Sequence, residues 1–457
     1  MELVFQKKQK GGSKMKKRMS VLAVMMVAAI TLGACGNKAD SGSGSGSASA
    51  KDGIELTISH YYLEEERESN AVGDSYLKMV EQWQEENPDI KVTQQTMSQA
   101  DYATKIQAQA AVNEMPDVFM VKGSWVDNFA ENGVMAPIND YMDKYDHKDQ
   151  FKNGVFDVAT RDGQIYGMPN QLSLTSVVYY NEELWKSIGY DKFPDNWEDI
   201  FAAAEKFEEQ GISTIALGNK DKWPAESCLL STLGDRYTGA EWTNSIINKD
   251  GKAKFTDEAF VKALDHLQKM STGKVFNPDF NTITETQSAE YYAQGKAAAF
   301  ISGHWSVSAI SSFAEEPVLK NTRIAILPGI DGSKSDSISG GCGWYFAVNK
   351  NLTGEKLDAA MDFLFKTTGY EMAKYATETY GMITAGQIDD VDTTAFPQLT
   401  QDFIDIIGKV ELTPVYDLQM DGAVIEVMNT GIQDLLNNTK TPQELAAEIQ
   451  AEQDKLQ

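Results

Sequence analysis

Strand-like and helical segments alternate through the first hundred residues after Gly53, and this alternation restricts the fold more than any other feature of the chain. "IELTIS" at the start alternates apolar and polar residues as a half-buried strand does. Pro88 ends the helical segment that follows, and "DIKV" then begins a second strand. A helix over 102–113, the strand "DVFMV" and a helix over 125–132 come next. Strands separated by helices of this length predict parallel βαβ units.

A second alternating unit lies further along the chain. It opens at "GQIYGMPNQLSLTSVVYYN" and continues through a helix that is capped by Asn196 and closed by Gly211, before the strand "STIALG". Near the C-terminus, Thr441 and Glu444 form a capping-box pattern with Pro442 at the first helical position. A chain of this length is too long for a single core, so we expect two α/β domains.

The N-terminal segment has the pattern of an export signal. Basic residues at 14–18 precede an apolar run, Met19 to Ala34, that is shorter than the roughly 20 residues a membrane-spanning helix needs. The run ends in "LGAC", which resembles the lipobox of bacterial lipoproteins, in which the signal is cleaved before the cysteine and the thiol is lipidated. We therefore predict a signal peptide over 1–34, a bilayer anchor through lipidated Cys35, and a flexible Ser/Gly tether over 35–53.

Charge and residue types argue against several functional classes. Removal of residues 1–34 leaves 34 basic and 66 acidic residues, a net charge of −32, so we expect no binding to nucleic acid. Cys228 and Cys342 are the only other thiols; they could pair, but they cannot build a zinc site or a disulfide scaffold. The histidines are scattered, and the sequence has no HExxH, P-loop, GxSxG or GxGxxG pattern. We therefore predict no metal, no cofactor and no enzymatic activity.

Several segments together resemble the extracellular solute-binding proteins of ABC importers, specifically the carbohydrate-binding family that includes maltose-binding protein. They are spread in order over residues 54–456. The segments are "PDVFMVKGSWVDNFAENGVMAPINDYM", "GQIYGMPNQLSLTSVVYYNEELWKSIGY", "FPDNWEDI", "YYAQGKAAAFISGHW", "ILPGIDGSKSDSISGGCGWYFAVNKN", "MDFLFKTTGYEMAKYATETYGMITA" and "DLLNNTKTPQELAAEIQAEQDKL".

This resemblance implies an α/β, two-lobe periplasmic-binding-protein-like fold of type II, in which each lobe is a sheet flanked by helices and a hinge joins the lobes. By analogy the N-terminal lobe takes 54–162 plus 338–375, and the C-terminal lobe takes 163–337 plus 376–457. The implied function is capture of a carbohydrate in the cleft between the lobes and its delivery to membrane permease subunits. The implied location is the outer face of the cell membrane of a Gram-positive bacterium, where the protein acts as a lipid-anchored monomer.

A sugar-binding cleft needs flat aromatic side chains against the sugar faces and polar groups around the rim. Trp83, Trp185 and Trp197 lie in amphipathic helical patterns and are expected in the core, and Trp242 is left unassigned. The candidates for stacking follow predicted strands or lie beside glycines, and they match places where the resembling family has cleft aromatics. They are Trp125, Trp223, Trp305 and Trp344, with Tyr61 as a weaker candidate.

The predicted rim groups come from the same segments. They are Asp101, Lys122, Gln171, Glu226, His304 and Asp417. The resembling family often has a carboxylate where this chain has Asn170 and Gln171, so no role tied to that acid is transferred.

Three other functions remain open from the sequence. The same scaffold could bind a polyamine, peptide or amino acid, with Glu226 and Asp101 as the acids that would meet an amine. A surface glycosidase or lyase would need an acid pair, and among this many carboxylates no pair stands out. An adhesin or structural lipoprotein would have no cleft.

Overall fold

The computed structural model describes residues 53–145, 150–152, 154–330, 337–388, 391–407 and 409–456. The predicted signal peptide, Cys35 and almost all of the tether lie outside these residues. The strands are β1 (Glu55–His60), β2 (Lys91–Thr96), β3 (Val118–Lys122), β4 (Thr160–Arg161), β5 (Gln164–Ile165), β6 (Met168–Leu174), β7 (Val177–Asn181), β8 (Ser213–Ala216), β9 (Ala297–Ser302), β10 (Thr322–Ile326), β11 (Ser337–Val348) and β12 (Glu411–Thr413).

The helices fall between and after these strands. They are α1 (Ala71–Glu86), α2 (Gln99–Ala111), α3 (Val126–Glu131), α4 (Asn139–Tyr145), α5 (Glu182–Ser187), α6 (Trp197–Glu209), α7 (Trp223–Ala225), α8 (Ser231–Thr238), α9 (Ala240–Ile247), α10 (Glu258–Thr272), α11 (Glu285–Ala293), α12 (Ser306–Phe313), α13 (Glu316–Asn321), α14 (Gly354–Thr368), α15 (Tyr370–Tyr380), α16 (Gln398–Ile407), α17 (Tyr416–Gln419), α18 (Gly422–Leu436) and α19 (Pro442–Gln453). A π-helical turn, Glu226–Leu230, joins α7 to α8.

Helix starts follow the local capping residues. The Asn196 side chain accepts the Asp199 backbone N–H at the start of α6, and Gly211 has a positive φ after its end, as the sequence predicts. Thr441 and Glu444 form the predicted capping box of α19. Ser98 caps α2, so this helix begins three residues before the predicted start.

The first sheet has the order β12-β11-β3-β1-β2, and β6 also pairs with β11. β1 runs parallel to β2 and to β3, which confirms the predicted βαβ units. β11 returns antiparallel beside β3 and places Val348 opposite Val118. Helices α1, α14 and α15 pack with this sheet in one buried core, and together they form the first lobe.

The second sheet has the order β10-β7-β9-β8. β8 and β9 are parallel, whereas β7 is antiparallel to β9 and to β10. Helices such as α6, α10, α18 and α19 bury their apolar faces in a second core that includes residues of this sheet. This sheet and the helices of its core form the second lobe, and the two lobes confirm the predicted fold class.

Some strands lie in a different lobe from the one the family analogy gives them. β6 and β12 fall in the ranges predicted for the C-terminal lobe, yet both pair with β11 in the first sheet. The chain leaves the first sheet after Leu174, turns at Ser176 with a φ of 61°, and enters β7 of the second sheet. By strand pairing, the chain first passes from the first lobe to the second near residue 175 rather than at 162. The other lobe boundaries remain a prediction.

Buried hydroxyl groups link the segments that pass between the sheets. The Ser176 and Thr232 hydroxyls are 2.6 Å apart, and Thr232 Oγ1 lies 2.9 Å from Ser339 Oγ. Ser339 Oγ in turn lies 3.4 Å from Thr413 Oγ1. Each hydroxyl can both donate and accept a hydrogen bond, so the four hydroxyls satisfy one another although they are buried.

The tryptophans expected in the core are there: Trp83, Trp185 and Trp197 are buried. Trp242, which the sequence left unassigned, packs in the second core and donates from Nε1 to Asp257 Oδ2. Cys228 and Cys342 are both buried and free, so they do not pair. In the described parts of the chain, no helix combines the length and the apolar character needed to cross a bilayer.

Candidate functional site

A cavity of about 1790 Å³ lies between the two lobes and has walls from both. Strand ends supply much of the lining: Tyr61 follows β1, Lys122 ends β3, Trp223 lies in the connection after β8, and Trp305 lies after β9. This agrees with the rule that α/β sheets bind ligands at the carboxyl ends of their strands. The predicted site residues that line the cavity are Tyr61, Lys122, Trp125, Gln171, Trp223, Trp305, Trp344 and Asp417.

Three aromatic side chains form the wall of the first lobe. The ring of Trp344 packs edge-on against Tyr61 at 5.0 Å and against Trp125 at 5.4 Å, measured between centroids. Trp344 lies on β11, where it is in register with Lys122 on one side and Gln171 on the other. Trp344 is therefore held by a strand, and the edge-to-face packing fixes the orientation of all three rings.

The glycine beside Trp344 serves another purpose than the one the sequence suggested. A Cβ on Gly343 would lie 2.9 Å from the Leu418 side chain, and a Cβ on Gly123 would lie 2.7 Å from the Leu418 backbone oxygen. Both glycines let α17 approach the first sheet closely, whereas the sequence suggested approach of the backbone to a ligand.

Two tryptophans and one carboxylate form the wall of the second lobe. The Trp223 and Trp305 rings lie 5.8 Å apart with an interplanar angle of 57°. Glu285, at the start of α11, accepts hydrogen bonds from Ser302 Oγ at 2.5 Å and Ser306 Oγ at 2.8 Å, and from Trp305 Nε1 at 3.4 Å. The carboxylate thus ties the Trp305 indole to β9 and α12.

An ion pair forms part of the cavity lining. Lys122 Nζ on β3 lies 2.5 Å from Asp417 Oδ2 on α17, and both side chains are largely buried. Asp417 Oδ1 is also buried, and within the described part of the chain it has no hydrogen-bond partner. A buried carboxylate oxygen of this kind is available to a donor on a ligand or to a water molecule.

Glu226 does not line the cavity, contrary to its predicted role as a rim group. It is fully buried in the π-helical turn, where it accepts hydrogen bonds from Ser231 Oγ at 2.6 Å and Ser227 Oγ at 3.0 Å. Burial, and then the charge of Asp417, raises its pKa to about 8, so it is largely protonated at neutral pH. The Ser231 hydroxyl also accepts the Tyr416 backbone N–H, which connects Glu226 to the start of α17.

His304 and Asp101 also lie outside the lining. His304 is buried, its Nδ1 accepts the Leu174 backbone N–H at 3.3 Å, and its ring stacks on Phe403. Burial lowers its pKa to about 4, so it is a neutral structural histidine. Asp101 is exposed in the first turn of α2 and accepts a hydrogen bond from the Ser98 hydroxyl.

Several lining residues were missed by sequence reasoning. The most important is Glu285, and Glu66 and Asp221 also belong to the wall. The "TETQ" segment is a capping box that could have located the start of α11. Nothing local in the sequence, however, shows that Glu285 faces the hydroxyls of Ser302 and Ser306.

Across the described ranges, no group of three or more His, Cys, Asp or Glu side chains is arranged to hold a metal ion. The lining is suited to binding a ligand. It combines aromatic faces on both walls with the Lys122–Asp417 ion pair and other polar side chains.

Residues 68–377 match the family described as bacterial extracellular solute-binding protein. A galactooligosaccharide-binding protein of Bacillus subtilis (strain 168) is 25% identical over 75% of this chain and 76% of its own. A polygalacturonan/rhamnogalacturonan-binding protein of the same organism is 22% identical over 61% of this chain and 57% of its own. The solved structure of a chitin oligosaccharide binding protein superposes with a TM-score of 0.80 and 22% identity, covering 88% of this chain and 99% of that one.

Proposed function

Because the chain belongs to the bacterial extracellular solute-binding proteins, which bind substrates and are not enzymes, we propose that it captures an oligosaccharide between its lobes for an ABC importer. It would then deliver this solute to permease subunits in the membrane. The galactooligosaccharide-binding relative supports a sugar as the class of solute.

The observation that carries this proposal is the pair of aromatic walls on opposite lobes. Tyr61, Trp125 and Trp344 lie on one side, and Trp223 and Trp305 lie on the other. A sugar ring presents C–H patches on its two faces, and aromatic rings suit such patches. The cavity of about 1790 Å³ exceeds the range of about 300–1,000 Å³ typical of small-molecule sites, which favours several sugar units over one.

The amine alternative loses the two acids that the sequence assigned to it. It relied on Glu226 and Asp101, and neither side chain lines the cavity. Glu226 is moreover fully buried and largely protonated, so it offers no negative charge to an amine at neutral pH.

Anchoring and location belong to the same proposal. The "LGAC" motif supports lipidation of Cys35, which would hold a monomer on the outer face of a Gram-positive cell membrane by a Ser/Gly tether. Incorporation of labelled palmitate that persists in a Cys35→Ser variant would contradict this assignment. We also propose that the hinge lies at the lobe boundaries near 162, 338 and 376. Strands β6 and β12 are then assigned to the first lobe, because both pair with β11.

The first test is a thermal-shift screen of the full-length protein in detergent against mono- and oligosaccharides, polyamines and amino acids. A ligand that binds only the folded state stabilises it by about 4 kcal/mol at a thousandfold excess over Kd. We expect a shift with one class of oligosaccharide that is lost in Trp305→Ala and Trp223→Ala and kept in Trp305→Phe. A shift with an amine or an amino acid and with no saccharide would overturn the proposal.

A further inference from the structure

The walls of the cavity carry more carboxylates than cations. Eight acidic side chains face four lysines, and among the described lining residues there is no arginine or histidine. The acids are Glu66, Asp127, Asp157, Asp221, Glu285, Asp417, Asp421 and Glu426, and the lysines are Lys122, Lys220, Lys222 and Lys249. The guanidinium group of arginine is the side chain whose geometry best matches a carboxylate, so its absence from this wall bears on specificity.

Three of the four lysines of the wall are already engaged by acids of the same wall. They form ion pairs there: Lys122 with Asp417 at 2.5 Å, Lys222 with Glu426 at 2.9 Å, and Lys249 with Asp421 at 3.8 Å. A carboxylate on a ligand would therefore have to compete with a built-in acid for each of these cations.

Carboxylates of both lobes line this one cavity. Glu66 follows β1 in the first lobe and Glu285 begins α11 in the second; burial raises the pKa of Glu66, and the charges of Glu65 and Glu285 raise it further. The pKa of Asp221 in the second lobe is raised by burial and also by the charge of Asp101 in the first. These acids are close enough to interact, so a further negative charge between the lobes meets repulsion from both sides.

We propose that this cavity excludes saccharides that carry carboxylates and accepts neutral oligosaccharides. The inference rests on the proposed function and narrows its substrate class. Family membership does not decide the point, because one relative binds polygalacturonan, a polymer of sugar units that carry carboxylates. The decision comes from this chain's own wall, where eight acids outnumber four lysines and three of those lysines are already paired with wall acids.

The test uses one oligosaccharide that shifts the melting temperature, modified at its reducing end in two ways. Oxidation gives an aldonate with one carboxylate, and reduction gives the matching neutral alditol, so the pair differs in charge while both have an open terminal unit. Calorimetry on the full-length protein in detergent measures Kd for both at low and high ionic strength. We expect the aldonate to bind about tenfold more weakly at low salt, and the difference to narrow as salt screens the wall.

Variants locate the origin of the difference. Glu66→Gln and Asp221→Asn each remove one wall charge, and we expect each to reduce the ratio of aldonate Kd to alditol Kd. Glu355→Gln removes one charge from an exposed position on α14 outside the cavity, and it should leave the ratio as it is in the wild type. The ratio is used because it cancels any loss of affinity that is common to both ligands.

Equal or tighter binding of the aldonate would overturn this inference while leaving the proposed function intact. A ratio that is unchanged in both wall variants, or that drops equally in Glu355→Gln, would also overturn it. Absence of binding by every saccharide, together with binding of another solute class, would instead overturn the proposed function and this inference with it.

Discussion

Lys122 Nζ lies 2.5 Å from Asp417 Oδ2, and this ion pair joins two residues that are 295 positions apart in the chain. It connects β3 in the first lobe to α17 beside the second, inside the cavity that both lobes line. Because the Asp417 carboxylate has lost most of its contact with water, the Lys122 ammonium group is what compensates its buried negative charge.

The first prediction concerns the loss of that cation. Lys122→Met leaves Asp417 buried and uncompensated, and we expect the free energy of unfolding to fall by about 3 kcal/mol. Adding Asp417→Asn should recover part of the loss, so a double-mutant cycle on denaturant unfolding should give a coupling energy clearly above experimental error. Lys91→Met, which breaks the exposed pair with Glu55, is the control and should cost less than about 1 kcal/mol. Equal costs for the two lysine variants would contradict the prediction.

The second prediction concerns the pH dependence of stability. The pKa of Glu226 rises from 4.5 to about 8 on folding, so between these values the folded state binds more protons than the unfolded state. The contribution of Glu226 to the free energy of unfolding is therefore fully present below pH 4.5 and is lost as the pH rises toward 8. The loss is at most about 1.4 kcal/mol per pH unit.

Glu226→Gln should remove this contribution, so the difference in stability between the variant and the wild type should change with pH, as measured by denaturant unfolding at a series of pH values. Gln keeps the volume and can still accept a hydrogen bond from Ser231, so the fold should survive the change. Glu198→Gln, an exposed acid in the first turn of α6, should leave the slope unchanged. Wild-type and Glu226→Gln profiles that run parallel from pH 5 to 8 would show that Glu226 is ionised in the folded protein.

The third prediction concerns the support of Trp305 by Glu285. Glu285→Ala removes the acceptor shared by Ser302, Ser306 and Trp305, and leaves the indole without its carboxylate partner. We expect a change in tryptophan fluorescence and a loss of about tenfold in affinity for the oligosaccharide. Glu290→Ala, which removes an exposed acid of α11 outside the cavity, is the control. Unchanged fluorescence in Glu285→Ala would mean that packing alone holds the indole.

The fourth prediction concerns the space around Gly218. A Cβ at this position would lie 2.0 Å from the Thr284 backbone oxygen, next to Glu285, and backbone cannot move aside as a flexible side chain can. We expect Gly218→Ala to destabilise the protein by about 1–3 kcal/mol in thermal or denaturant unfolding. Gly341→Ala should have little effect, because the nearest atom would lie 3.7 Å away. Similar melting temperatures for the two variants would contradict the prediction.

Features set by neighbouring residues could be predicted from the sequence. The caps at Asn196 and Thr441 and the strand at residues 54–59 depend on local hydrogen bonds and on alternation, so they were placed correctly. The rule that ligands bind at the carboxyl ends of strands selected Trp125 and Trp223, and both line the cavity. For these residues, local pattern and topology were sufficient.

Features set by distant packing could not be predicted in this way. Glu226 lies three residues after Trp223, yet a π-helical turn directs it into the interior and away from the cavity. His304 adjoins Trp305, yet its ring turns toward Phe403 and the backbone of Leu174. A separation of three residues in the first case and of one in the second changes the direction of a side chain, and only its neighbours in space decide that direction.

The long return of β11 to the first sheet has a consequence for how the chain can be made. Val118 on β3 finds its partner only at Val348, so an edge of a buried apolar strand stays open until 230 further residues have been synthesised. An open apolar edge of this kind is prone to pair with another chain. A polypeptide that ends before β11 therefore keeps this edge of β3 exposed. We expect such truncated products to aggregate rather than to remain as soluble, partly folded fragments.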